Sequence, residues 1–347
     1  NVCFQISNKY IMRYHQLIEA QLKYKSNKGN ISEFYIGAAL VAKFINGIDK
    51  VTVEDVTAVV SPLKNRRTNF NQSYTGKNGD TIIFQNVIRN PTNKKDVRAY
   101  EFNMSAMKKE IEGAIAFANS DFVVNKTAQD VERDGTPDEI IVRGVGEEDQ
   151  SGTKADIILV YNGKEIRKWS VKTGSDIIGQ GSAGNFDSVQ SFFKELGISV
   201  TSNPQYNTKP EEHIVNVMRD VANQLQRELR GDNLQAELGV VQSIQSFINQ
   251  HATKKDPELY IVNVGKGKFT VQDLKLAAEN LKEINLYATA YDERLDGQPA
   301  RPSVVVHEFQ NAGNFLVKIR YTFEASNNRH RMFVETGPLF KSITNVT

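Results

Sequence analysis

Asp156, Ser170 and Lys172 are the residues in this chain whose types and spacing suit chemistry on a phosphate. Asp156 heads the run Asp-Ile-Ile-Leu-Val, and Lys172 closes the run Trp-Ser-Val-Lys. Asn162-Gly163 stands between them, and an Asn-Gly pair flanked by alternating apolar residues is a strong hairpin signal. The spacing predicts adjacent antiparallel strands over Ala155–Tyr161 and Lys164–Lys172. A two-residue turn makes Tyr161 and Lys164 partners, and counting outward from them sets Asp156 opposite Trp169. Residues two apart share a face of a strand, so Ser170 and Lys172 point the same way. A carboxylate, a hydroxyl and an ammonium therefore meet at one sheet edge. Such a carboxylate can hold Mg²⁺, with waters and a phosphate oxygen completing the shell. The metal neutralises phosphate charge and acidifies a bound water, and a lysine beside it steadies the developing charge.

Stepping outward from this hairpin, a helix is expected at about Ser105–Asn119, where Met104, Met107, Ile111, Ile115 and Ala118 fall on one face. Glu139–Gly144 is a further strand. A Gly/Ser-rich loop is expected over Thr173–Asn185, then a helix over Phe186–Leu196. Upstream, Glu33 opens a helix rich in small residues, Gly37, Ala38 and Ala39, which can approach a neighbour closely. Thr52–Val60 reads as a short helix, and Thr81–Val87 as a strand. Downstream, helices are expected over 211–230 and 234–250, a strand over Leu259–Val264, and a helix over Thr270–Asn285 begun by a Thr cap. Ser303–Phe309, Phe315–Phe323 and Arg331–Glu335 read as closing strands. Residues 1–100 form a helical and turn-rich region packing on the core, and 101–347 the core domain, with a helical subdomain at about 205–255.

Asp156 followed after a hairpin by Ser170-Val171-Lys172 resembles the active-site pattern of the PD-(D/E)xK nuclease superfamily in its SxK form. Gly152-Thr153-Lys154-Ala155 resembles the approach to that family's aspartate. The order helix, three strands, helix from Ser105 to about Glu195 resembles its αβββαβ core. The resemblance implies an α/β fold of restriction-endonuclease-like type, with a mixed central sheet and additional helices. It also implies Asp156 as metal ligand, Lys172 as catalytic lysine, Mg²⁺ as cofactor with Mn²⁺ able to substitute, and DNA as substrate. A restriction-type endonuclease is the expectation within the class, and enzymes of this kind often work as homodimers.

The family's usual second acid sits where Ser170 stands, and serine is a weak metal ligand. In SxK enzymes a helix carboxylate takes over. Glu33 and Glu112 are the first candidates, with Glu110, Asp187 and Glu195 behind them. Pro137-Asp138-Glu139 is a literal rival for the motif, but no lysine tripeptide follows it at the length of one hairpin. Gln180 and Ser182 in the glycine-rich segment, with Arg329 and Arg331 near the tip of a hairpin turned by Asn327-Asn328, are the candidate DNA contacts.

Composition sets outer bounds. The formal net charge is +2, so no basic tail drives nucleic-acid binding, and basic groups cluster locally at Lys64–Arg67, Lys94-Lys95, Lys254-Lys255 and Arg329–Arg331. One cysteine, Cys3, excludes a disulfide framework and a thiolate metal cluster. No apolar run is long enough to span a bilayer, so a cytoplasmic setting, phage- or plasmid-encoded, is expected. The five histidines form no zinc pattern, and no nucleophile elbow or Walker loop is present. Gly179-x-Gly181-x-x-Gly184 fits the letters of a dinucleotide fingerprint, but the preceding strand belongs to a hairpin. Two other readings stand beside the nuclease: a non-catalytic, viral binding or assembly protein with a nuclease-like fold, and a phosphate-recognising protein using the loop 174–184.

Overall fold

The computed structural model describes residues 28–63, 70–86, 108–145, 155–173, 177–182, 186–195, 259–265, 267–275, 280, 287–292, 305–311, 314–324 and 329–346. Six α-helices are defined there: α1 (Lys28–Ile45), α2 (Val53–Val60), α3 (Lys108–Ala118), α4 (Asp121–Asp134), α5 (Phe186–Glu195) and α6 (Pro338–Thr344). The strands are β1 (Phe70–Thr75), β2 (Thr81–Asn86), β3 (Glu139–Gly144), β4 (Ile157–Tyr161), β5 (Lys164–Lys172), β6 (Ile177–Ser182), β7 (Leu259–Gly265), β8 (Lys268–Asp273), β9 (Tyr287–Asp292), β10 (Val305–Asn311), β11 (Asn314–Glu324) and β12 (Arg329–Thr336). The protein is α/β. A mixed seven-stranded sheet runs β1-β2-β3-β4-β5-β7-β8, and a five-stranded antiparallel sheet runs β6-β12-β11-β10-β9. The chain divides into two compact units, one of residues 1–148, 156–166 and 264–269, the other of 149–155, 167–263 and 270–347.

In the first unit the strands that flank β3 set its character. β2 pairs with β3 in parallel, from Thr81 opposite Glu139 to Asn86 opposite Gly144. β4 pairs with β3 antiparallel, from Ile140 opposite Tyr161 to Gly144 opposite Ile157. All five residues of β4 are buried, as expected for a central strand covered on both faces. α1 covers β2 and β3 because Gly37 and its alanine neighbours have so little side chain. A methyl added at Gly37 would lie 2.8 Å from Cε2 of Phe84, itself held between Phe34 and Phe70. α1 ends at Gly47, whose φ of 63° closes the last turn. α2 starts at a capping box in which Thr52 and Asp55 satisfy each other's backbone N–H groups.

In the second unit β5 and β7 are parallel, Lys168 opposite Leu259 through Lys172 opposite Asn263, with α5 lying between them in sequence. The five-stranded sheet buries Ile319, Met332 and Val334 completely on one face. α5 approaches that face at Gly181, where an added methyl would sit 2.5 Å from Cδ2 of Phe192.

Three elements depart from the sequence reading. Ile177–Ser182 is a strand within the segment expected to be a loop, because β12 supplies a partner edge for its backbone. The helix expected over Thr270–Asn285 begins instead as strand β8, since Gly267, at φ 75°, turns the chain sharply after β7. β1, α4, β9 and α6 stand where no element was expected. The helices expected over 211–230 and 234–250, and the subdomain around them, lie outside the described residues.

Lys43, in the last turn of α1, is only 3% exposed. Its Nζ donates to Oδ1 of Asn119 at 3.4 Å, while Asn119 also clasps both backbone groups of Val51 at 2.8 Å. Burial holds its pKa below 10.5, the ordinary lysine value, with Asp49 acting the other way. The folded state therefore binds this proton less readily than the unfolded state, and stability from this group rises with pH toward 10.5. Lys43→Met is expected to raise the urea midpoint at pH 7, with the gain over wild type shrinking as pH approaches 10.5. Gly37→Ala is expected to cost about 1–3 kcal/mol in the same measurement, because Phe84 has no room to yield.

Candidate active site

The hairpin that carries the candidate residues is fixed at its turn. Asn162 and Gly163 have φ of 46° and 82°, the two positive values of a type I′ turn, which matches the twist of the strands it joins. Asn162 does more than turn the chain. Its Oδ1 accepts from the N–H groups of Asp138 and Glu139 at 3.1 and 2.9 Å, and its own N–H donates to the Glu139 carbonyl at 3.0 Å. The Asp138 carbonyl in turn accepts from Thr81 N–H at 2.8 Å, so the turn is tied to the start of β3 and β2 together. Lys164, just past the turn, pairs with Asp134 at the end of α4, which also pairs with Arg133; both cations hold the Asp134 carboxyl below the usual carboxylate range.

Asp156 stands one residue before β4, at the opposite end of the hairpin from the turn. It is half-buried, and its carbonyl accepts from Val145 N–H at 3.0 Å just past the end of β3. Ser170 and Lys172 occupy the end of β5. Ser170 is 3% exposed, and Lys172 Nζ donates to its Oγ at 2.8 Å and to the Val171 carbonyl at 3.3 Å. Ser170 thus holds the lysine ammonium at the strand end, the shared-face geometry expected of residues two apart.

Among the carboxylate candidates, Glu33 lies at the Asp156 end of the sheet. The contacts along α1 establish its direction. Near its C-terminus, Phe44 meets Tyr161, the last residue of β4, and the Ile45 carbonyl accepts from Lys77 N–H in the β1–β2 turn. Midway, Gly37 meets Phe84 and Val142. Nearer the start, Phe34 meets Phe70, whose partner Asn86 ends β2. α1 therefore runs from the Asn86–Gly144–Ile157 end toward the turn end. Glu33 lies four residues before Gly37, on the same side of the helix, half-buried at the end where Asp156 sits.

Glu112 is differently placed. It lies beside Gly267 in the β7–β8 turn, with 45% of its side chain exposed, and is 3.8 Å from Lys108. Glu110 lies near enough to Tyr35 to help burial push that phenol up to about 12. Asp187 is exposed on α5, and Glu195 closes the same helix. Pro137-Asp138-Glu139 opens β3 beside the turn, one strand length from Asp156, so it does not share an end with it. Among the described residues no group of three or more His, Cys, Asp and Glu is gathered to hold a metal.

The four candidate DNA contacts fall on two neighbouring strands. Ser182 and Gln180 of β6 stand opposite Arg331 and Phe333 of β12, and Arg329 begins β12. Sequence reasoning missed this neighbourhood because it read 173–185 as a loop. The signal lay in the alternation of Ile177 and Ile178 with small residues, masked by three glycines. The clusters Lys64–Arg67, Lys94-Lys95 and Lys254-Lys255 lie outside the described residues.

Compared with known proteins, the chain matches no family model, no curated protein and no solved structure. Among the described residues no helix is long and apolar enough to cross a membrane.

The Asn162 contacts generate a test. Asn162→Ala removes two side-chain acceptor bonds and puts a Cβ-bearing residue without local hydrogen bonding at positive φ. It is expected to cost about 2–4 kcal/mol by chemical denaturation, with Asn162→Gly recovering only the backbone part.

Proposed function

We propose that the protein is a Mg²⁺-dependent DNA nuclease, of restriction type, whose site is built from Asp156, Glu33, Ser170 and Lys172. The observation that carries this reading is the direction of α1, which sets Glu33 at the end of the sheet where Asp156 precedes β4. The order of elements agrees with it. α3 and α4 precede the antiparallel run β3-β4-β5, and α5 then leads to β7 parallel with β5, which is the αβββαβ order of the PD-(D/E)xK core. The two-residue turn, counted outward, pairs Asp156 with Trp169, next to Ser170.

The donor set suits a hard divalent cation. Mg²⁺ is usually held by one or two carboxylates, with waters and phosphate oxygens filling the rest of its shell. Asp156 and Glu33 supply two. Two buried hydroxyl oxygens have no hydrogen-bond partner among the described residues: Ser32 Oγ beside Glu33, and Thr173 Oγ1 beside Lys172. Such groups cost about 1–3 kcal/mol unless water or an ion satisfies them. When bound, the cation would neutralise phosphate charge and lower the pKa of a water. The chain's own part is positional. Ser170 fixes the Lys172 ammonium, a three-donor cation that can steady the attacking water and the charge developing on the phosphate. Glu112, engaged near Lys108 and Gly267, is the weaker candidate for the second carboxylate.

Incubation with supercoiled and linear DNA plus Mg²⁺ tests the reading. Lys172→Ala and Asp156→Ala are expected to abolish cleavage, and Glu33→Gln to lower it at least 100-fold while Glu112→Gln leaves it within threefold. Absence of cleavage by the wild type, with no Mn²⁺ binding that depends on Asp156, would instead favour a binding protein with a nuclease-like fold.

A further inference from the structure

The five-stranded sheet has one face that the buried core does not use. Strand alternation puts Met332 and Val334 on the covered face, both fully buried, and Arg331, Phe333 and Glu335 on the other, all half-buried. The register extends that second face to both sides. Arg331 stands opposite Ser182 on β6 and Thr322 on β11, and Phe333 opposite Gln180 and Arg320. Lys318 faces Glu335, and Glu324 faces Arg329, so the carboxylates of β11 and β12 sit in cross-strand pairs with cations. The centre of the face is then an aromatic ring position bordered by two arginine positions and by the hydroxyl and amide positions of Ser182, Thr322 and Gln180.

We propose that this face binds single-stranded nucleic acid, with Phe333 as a stacking platform and Arg331 and Arg320 as phosphate contacts. The choice of nucleic acid as partner rests on the nuclease reading; the choice of single strand does not. Bases in a duplex present only their edges in the grooves, whereas unpaired bases expose the flat faces that an aromatic ring can stack on. Cations placed around an aromatic position follow the backbone without reading sequence, and every base has a face to offer. A glycine-rich partner strand serves the same end, because Gly179 and Gly181 admit close packing of α5 behind the sheet while leaving Gln180 and Ser182 at register positions beside Phe333 and Arg331.

The test is fluorescence anisotropy with a 20-nucleotide single strand and the duplex of the same sequence, in EDTA so that cleavage cannot intervene. The wild type is expected to bind the single strand more tightly at matched salt. Phe333→Leu is expected to weaken single-strand binding roughly tenfold while leaving the salt slope unchanged. Arg331→Gln is expected to weaken it and to reduce the slope of log K against log salt by roughly 0.7, the value for one phosphate contact on a single strand. Circular dichroism melts confirm that each variant folds, and Arg320→Gln supplies a second charge variant if Arg331→Gln does not. Lys172→Ala should bind as the wild type does. Undiminished binding by all the folded variants, or equal losses on single strand and duplex, overturns the proposal. If the wild type fails to cleave DNA yet shows this variant pattern, the nuclease reading falls and the binding face stands. Cleavage without the pattern has the reverse meaning.

Discussion

Asn162 is a five-atom link between a turn and two strands, and the candidate site depends on it from a whole strand length away. A hairpin has period two, so a slip of one residue at the turn would carry every side chain of β5 to the opposite face. Ser170 and Lys172 would then exchange places with Val171, and a buried valine would stand where the ammonium does. The type I′ turn sets the register locally, and the bonds from Asp138 and Glu139 to Asn162 fix it against the rest of the sheet. Pro137-Asp138-Glu139, a rival for the catalytic motif by its letters, contributes here through its backbone. It anchors the turn.

A second constraint is steric. α1 lies on β2 and β3 only because Gly37 lacks a side chain, and that closeness gives a glutamate one turn earlier its place over the sheet end. Larger residues at 37–39 would lift the helix by more than a carboxylate can reach. The helix is also dry enough at its other end to leave Lys43 buried on an amide partner, so its two ends carry opposite charges in very different surroundings. The Glu33 end borders half-exposed strand ends, where a charge remains solvated. The Lys43 end holds its charge at a cost.

The hairpin, β3, the helix around Glu33 and the strands β10 to β12 were legible because each is signalled within a dozen residues: Asn-Gly, strict alternation, or a run of small residues after a cap. What was not legible depended on partners distant in sequence. β6 is a strand because β12, some 150 residues later, lies beside it. β8 departs from the helix that Thr270 suggested because Gly267 reverses the chain first. The choice between Glu33 and Glu112 was open for the same reason. Both are glutamates on amphipathic helices, and only the contacts of Phe34, Gly37 and Phe44 reveal which way α1 points.

The short connection between β5 and β6 has a mechanical meaning. Only four residues, 173–176, separate Lys172 from Ile177. Even fully drawn out, the five steps from one to the other reach roughly 17 Å. The lysine is thus leashed to the strand that borders the arginine-bearing β12. A polymer gripped by that strand would be measured out against the lysine over a handful of nucleotides, at about 3.4 Å each when stacked. The leash would act as a ruler, and its length would set how far from the grip a bond can be cut.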